Sequence, residues 1–235
     1  MVFFGGRIHA VGSGSASTSD AEAEWTRARE CMVAEQLAAP GRGITSPRVL
    51  KVMERVPRHE FVSAPQRDQA YDDHPLPIGY GQTISQPYIV ALMTERLHLL
   101  PTDRVLEIGT GCGYQAAVLA GLVREVYSIE IIPELARAAA STLRRLGFTN
   151  VQVKEGNGYL GWPEQAPFEA MIVTCAPEAI PKPLLSQLRE GGRMMVPVGD
   201  RAEQNLILLC KGRSHLTEEA VLPVRFVPMT GEWMK

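Results

Sequence analysis

The run Val105-Leu-Glu-Ile-Gly-Thr-Gly-Cys-Gly-Tyr114 holds the residue types and spacing that point most directly to chemistry. An apolar strand, Arg104 to Ile108, leads into a glycine-rich turn that opens a helix. Glycines let a backbone approach a ligand closely and take φ values that other residues avoid. The turn falls at the carboxyl end of the first core strand, where open α/β sheets bind ligands. The dinucleotide fingerprint is Gly-x-Gly-x-x-Gly. Here Gly109, Gly111 and Gly113 alternate and Tyr114 stands at the last fingerprint position, which disfavours a nicotinamide or flavin. Glu107 precedes the first glycine by two residues, and its charge would repel a pyrophosphate. It suits a cationic ligand, such as the amino-acid end and sulfonium of S-adenosylmethionine. Glu130 closes the next strand, 21 residues after Gly109, and its carboxylate suits both hydroxyls of a ribose. Taken singly, the glycine turn also reads as a tight connection and Glu130 as a solvated strand end. Together with Glu107 and the change of hydrophobic period they favour a cofactor site.

Two further segments belong with this one. Glu155-Gly-Asn-Gly158 follows the third strand. Asn157 there can accept from an adenine amino group and donate to a ring nitrogen, or simply form an Asn-Gly turn. Ile78-Gly-Tyr-Gly-Gln-Thr-Ile-Ser85 places two glycines and several hydroxyl and amide groups just before a helix start. Ser85 reads as a helix cap, and equally as a hydroxyl offered to an incoming carboxylate, since helix starts favour anions.

The elements that must position these residues follow from pattern. Residues 1 to about 20, rich in Gly, Ser and Ala, read as a flexible tail. Ala21 to Ala39 favours helix until Pro40-Gly41. Ser46-Pro47 opens a second helix that ends at Pro57. Residues 63 to 87 read as a long, functional connection, and a third helix is expected from Ser85 to about Leu100. Strands are expected over 104–108, 125–129, 151–154, 169–174, 193–198, 205–210 and 221–227, with helices over 114–122, 133–146 and 182–188 and a tight turn at Gly191-Gly192. This alternation predicts an α/β domain over 21–235, with a mostly parallel seven-stranded sheet covered by helices on both faces. Residues 21–100 would form a helical and substrate-loop part, and 101–235 the cofactor-binding sheet.

Composition bounds the function. The chain of 235 residues is 45% hydrophobic and 21% charged, with a formal net charge of −2, which gives no electrostatic footprint for nucleic acid. Cys31, Cys112, Cys175 and Cys210 are scattered, so neither a zinc site nor a disulfide framework is expected. No apolar run reaches membrane-spanning length and the first residues make a poor signal peptide. A monomer in the cytoplasm is expected.

The motifs resemble those of bacterial protein-L-isoaspartate O-methyltransferases. The likeness runs through Val56-Pro-Arg-His-Glu-Phe-Val62, residues Tyr71 to Pro87, the glycine loop, Val126-Tyr-Ser-Ile-Glu130, Gly161-Trp-Pro-Glu164 and Gly191 to Gly199, and spans roughly residues 25 to 234. Gly-Gln-Thr-Ile-Ser-Gln-Pro87 is its discriminating block. The resemblance implies a Rossmann-like class I S-adenosylmethionine-dependent methyltransferase fold, with S-adenosylhomocysteine as product and no metal. It implies that Ser85 holds the active-site serine position and that Gln82, Thr83 and Ile84 close over the cofactor. It further implies cofactor contacts from Glu107, Gly109, Gly111, Gly113, Glu130, Asn157, Gly158 and Thr230. Departures are Asn157 for a usual Asp, Cys112 for a common Ser and Cys175 for a common Ala.

The implied substrate is the free carboxylate of L-isoaspartyl, or D-aspartyl, residues in damaged proteins and peptides. Such a group is ionised at pH 7 and needs no general base, so Ser85 would position rather than deprotonate it. The methyl ester would then close to a succinimide unaided. Three other readings remain open: an RNA or small-carboxylate methyltransferase of the same fold, a nicotinamide oxidoreductase, and a non-catalytic binding module. Thr174-Cys-Ala-Pro177 differs from the Asn/Asp-Pro-Pro-Tyr pattern of amino-group methylation.

Overall fold

A computed structural model describes residues 18–231. The expected tail thus lies mainly outside the described residues. The first helix, α1 (Thr18–Cys31), begins earlier than Ala21 and continues as a π-helical stretch, Met32–Leu37. Helix α2 (Pro47–Arg55) starts as expected: Ser46 Oγ accepts from the Val49 amide at 3.5 Å and Pro47 takes the first turn. Its buried residues Val49, Val52 and Met53 lie on one face, at helical spacing.

Within the expected long connection lies a short antiparallel hairpin, β1 (Leu76–Gly79) and β2 (Gln82–Ile84). Its turn needs left-handed backbone at Gly79, Tyr80 and Gly81, with φ of +90°, +54° and +70°. Glycine supplies two of these without strain. The Pro/Gly density that suggests a loop is the turn chemistry of this hairpin. Helix α3 (Pro87–Arg96) follows, with Gln86 and not Ser85 at its N-cap position and no side-chain capping bond, so the capping role weighed for Ser85 is not observed.

The main sheet contains β3 (Arg104–Ile108), β4 (Glu125–Glu130), β5 (Val151–Glu155), β6 (Phe168–Val173), β7 (Leu188–Gly199), β8 (Gln204–Lys211) and β9 (Leu216–Pro223). Helices α4 (Tyr114–Ala120), α5 (Pro133–Arg145) and α6 (Lys182–Gln187) connect its parallel part. The order is β5-β4-β3-β6-β7-β8-β9, parallel from β5 to β7 and antiparallel for β8 and β9. Two apolar layers cover it. Val105 packs in the layer with α2, α3, α4 and α5, whereas Leu106 and Ile108 pack in the other with Leu184 of α6. This is the expected seven-stranded, mostly parallel sheet with helices on both faces.

Two boundaries differ. Gly191-Gly192 is not a separate turn but part of a bulge in β7: Leu188 pairs with Phe168, and the next pair is Arg193 with Ala170. The final strand is Leu216–Pro223, earlier than the expected 221–227. It is an edge strand whose first positions, including Thr217, Glu218 and Glu219, are exposed and polar, so no apolar signal marked them.

Chain direction across the sheet reverses at β3, with β4 and β5 on one side and β6 onward on the other. Such a switch point opens a crevice beyond the carboxyl ends of the strands, and the candidate residues converge there. Among the described residues no helix is long and apolar enough to cross a membrane.

Candidate active site

At the switch point a narrow cleft is lined by Gln82, Gly109, Glu130, Gly158 and Thr230, five of the expected residues. The glycine turn forms its floor. Gly109 has φ of +95°, and a Cβ there would come within 2.4 Å of Thr174 Oγ1. That hydroxyl donates to the Gly109 carbonyl at 2.6 Å, tying the turn to the end of β6. Glu130 ends β4 and is buried, at 5% exposure. Its carboxylate accepts from the Gly111 amide at 2.7 Å and from the Ile132 amide at 3.0 Å.

Gly158 forms one wall of the cleft. A Cβ at this position would meet Ile108 Cγ2 at 2.4 Å and Met229 Cε at 3.1 Å, so only glycine leaves this wall flat. The segment beside it comes from far along the chain. After β9 the backbone returns alongside β6: Ala176 donates to Val227 and accepts from Met229, each at 2.8 Å. This fixes Pro228, Met229 and Thr230 at the cleft.

The other expected residues lie elsewhere. Glu107 is fully buried and does not line the cleft. It shares the inner face of the sheet with Ser128, whose hydroxyl donates to Glu107 Oε2 and is itself bonded to Thr110 Oγ1 at 2.5 Å. Glu107 Oε1 has no hydrogen-bond partner among the described residues. Burial pushes this carboxyl up to about 8, opposed by the Ser128 bond and assisted by the Glu130 charge. At pH 7 it is mostly protonated, so it is not the exposed anion that its sequence position suggests. Gly111 contributes its amide to Glu130 and lies beneath Ile78 of the hairpin. Gly113, with φ of +93°, starts α4 and packs on Leu143 of α5. Asn157 Oδ1 caps the short helix Gly158–Leu160 by accepting from the Tyr159 amide at 3.0 Å, which is the turn role weighed for it.

Alternation along β2 separates the hairpin's residues. Gln82 faces the cleft, Ile84 enters the core, and Thr83 and Ser85 line an adjoining groove of about 990 Å³. The groove and the cleft share Pro228. Sequence reasoning missed Ile131 and Met229 in the cleft. Ile131, 37% exposed directly after Glu130, is the one signal available: a large apolar residue bared beside an acidic strand end.

Burial disfavours the thiolate at both cysteines near the turn. Burial pushes the Cys175 thiol up to about 12, helped by the Glu130 charge, and the Cys112 thiol up to about 11. The cleft therefore holds a buried carboxylate and a close-approach glycine, and among the described residues no thiolate stands beside it. These features fit an adenosine-bearing ligand: Glu130 at a ribose, and the flat Gly158 wall with Ile131 at a base.

Comparison with known proteins agrees. A sequence model described as Protein-L-isoaspartate(D-aspartate) O-methyltransferase matches residues 29–234. A Synechococcus sp. protein-L-isoaspartate O-methyltransferase is 54% identical over 217 residues, covering 89% of this chain and 88% of the relative. A Pelobacter propionicus protein-L-isoaspartate O-methyltransferase 2 is 56% identical over 205 residues, covering 86% and 90%. Among solved structures, a protein-L-isoaspartate O-methyltransferase superposes with a TM-score of 0.79 at 31% identity, covering 88% of this chain and 67% of that one. A Plasmodium falciparum chain named for the same activity, solved in complex with S-adenosyl-L-homocysteine, superposes with a TM-score of 0.75 at 24% identity, covering 86% and 98%. Matched along nearly its whole described length by sequence and by fold, this chain belongs to the protein-L-isoaspartate(D-aspartate) O-methyltransferase family.

Proposed function

We propose that the chain methylates the free carboxylate of isoaspartyl residues in damaged proteins and peptides with S-adenosylmethionine as donor, and that Ser85 positions that carboxylate. The observation that carries this assignment of roles is the alternation of β2. β2 and the residue after it send Gln82 into the cleft and Thr83 and Ser85 into the groove beside it, so the proposed donor and acceptor sites share a wall.

When bound, S-adenosylmethionine supplies an electrophilic methyl group. The residues here do the rest. Glu130 holds the ribose hydroxyls, and Gly109, Gly158 and Thr230 shape the cleft around the nucleoside. The Ser85 hydroxyl donates to one substrate oxygen and leaves the other free to attack. The substrate carboxylate is already ionised, which suits a site whose cysteines are protonated and whose Glu107 is buried away from the groove. Alignment of two bound reactants and exclusion of water by the hairpin supply the acceleration. The ester then closes to a succinimide without help from any residue of the site. Four free cysteines fit a reducing compartment such as the cytoplasm, and the near-neutral charge fits work on peptides, as a monomer, rather than on nucleic acid.

Transfer of radiolabelled methyl to an isoaspartyl peptide, with its normal aspartyl twin as control, tests this. Equal labelling of the twins, or labelling of neither, overturns it.

A further inference from the structure

The groove beside Ser85 has walls of one charge, and we propose that it selects isoaspartyl segments whose neighbouring residues are acidic. The inference rests on the function proposed above and adds a preference to it. Arg42, Arg201 and Arg225 line the groove, and no aspartate or glutamate does. Arg42 is already engaged: it pairs with Asp73 at 2.7 Å and lies 4.7 Å over the Tyr88 ring. Arg201 and Arg225 are exposed and enter no ion pair among the described residues.

Both free arginines sit on backbone that is held in place. Asp200 Oδ1 accepts from the Ala202 and Glu203 amides at 2.7 and 3.0 Å, which fixes the turn carrying Arg201. Gln204 is buried, and its side chain both accepts from the Phe226 amide at 2.6 Å and donates to the Phe226 carbonyl at 3.2 Å. Ala176 grips Val227 and Met229 immediately beyond. Arg225 is therefore presented by a segment fastened on its far side. Guanidinium groups carried on fixed backbone beside the proposed carboxylate site attract further carboxylates on the same peptide, and charges on an interface rim act mainly through encounter and salt sensitivity. An extended peptide bearing Glu or Asp next to its isoaspartate is the complementary occupant.

The test is kcat/KM on isoaspartyl hexapeptides that differ only in having Glu, Gln or Lys on either side of the damaged residue. It is run on the natural protein, on Arg201→Gln, on Arg225→Gln and on the double variant, at low and at 0.5 M salt. The expected order is Glu above Gln above Lys, roughly threefold per acidic neighbour, the scale of an exposed ion pair. The Glu-to-Lys ratio should collapse toward one in the double variant and shrink at high salt. The ratio, not the absolute rate, is the readout. An equal rate on all three peptides, or a ratio that survives in the double variant, overturns the inference alone. Failure to methylate even the Gln peptide overturns the function on which it rests.

Discussion

The amide of Gly111 donates to the carboxylate of Glu130 at 2.7 Å, joining the tip of the glycine turn after β3 to the end of β4. Both arms of that carboxylate are anchored, since its other oxygen accepts from the Ile132 amide. The group assigned to the ribose is thus set in place before any ligand arrives. Glu130→Gln keeps one acceptor for the turn but loses the charge. Its affinity for S-adenosylhomocysteine should weaken on the order of tenfold or more, the scale of a hydrogen bond to a charged group, about 1.5–3 kcal/mol. Titration calorimetry reads this directly; an unaltered dissociation constant would remove Glu130 from the site.

Ser85 lies on the groove side of the hairpin and caps no helix. Ser85→Ala should therefore cost little stability and leave S-adenosylhomocysteine binding within about twofold, since surface changes are generally within ~0.5 kcal/mol. Turnover on an isoaspartyl peptide should fall by about tenfold or more, the worth of a hydrogen bond that orients a reacting group. Steady-state kinetics beside calorimetry separates the two, and full turnover in the variant would end the positioning role.

Gly158→Ala places a methyl group 2.4 Å from Ile108 Cγ2 and 3.1 Å from Met229 Cε. Relief of that overlap must displace side chains that line the cleft. A loss of about 1–3 kcal/mol of stability is expected from such overpacking, together with weakened nucleoside binding. Urea unfolding with and without S-adenosylhomocysteine measures both. A variant as stable and as tightly binding as the parent would show that the wall is not packed as described.

Glu107 makes a pH prediction. Its folded value of about 8 lies above its ordinary 4.5, so between those values the native state holds a proton that the unfolded chain releases. Its contribution to stability is complete below about 4.5 and declines as pH rises toward 8, on the order of 1 kcal/mol per pH unit. Glu107→Gln removes the titration. The variant should gain on the parent steadily from pH 5 to pH 8 in urea unfolding. Parallel stability profiles would show that the carboxyl does not titrate from this buried position.

The parts of the site legible in the sequence are those whose role is carried by backbone. Gly109, Gly111 and Gly158 announce close approach or unusual φ by their type alone, and Glu130 is placed by its position at a strand end. Glu107 was legible as a carboxylate at the right height in the sheet but not in its direction. A parallel strand buried on both faces has no polar alternation from which to read one, and only register with Ser128 reveals that it faces inward. The hairpin around Tyr80 was hidden by its own turn residues, which read as loop. Thr230 is implied by the resemblance alone, and Met229 beside it carries no signal, because the segment that presents both is held by Ala176 and Gln204, contacts with no local signature. The mostly parallel character of the sheet is legible, since strands alternate with helices along the chain, whereas its strand order is not.

The return of the chain past Ala176 has one more consequence. Residues as distant as Gln82 and Thr230 line a single cleft, so a ligand held there should be linked to the whole domain's unfolding rather than to a local opening. Ligand should raise the midpoint of one cooperative transition according to its concentration over its dissociation constant. It should also slow amide exchange in the hairpin, in the glycine turn and in the 224–230 stretch together.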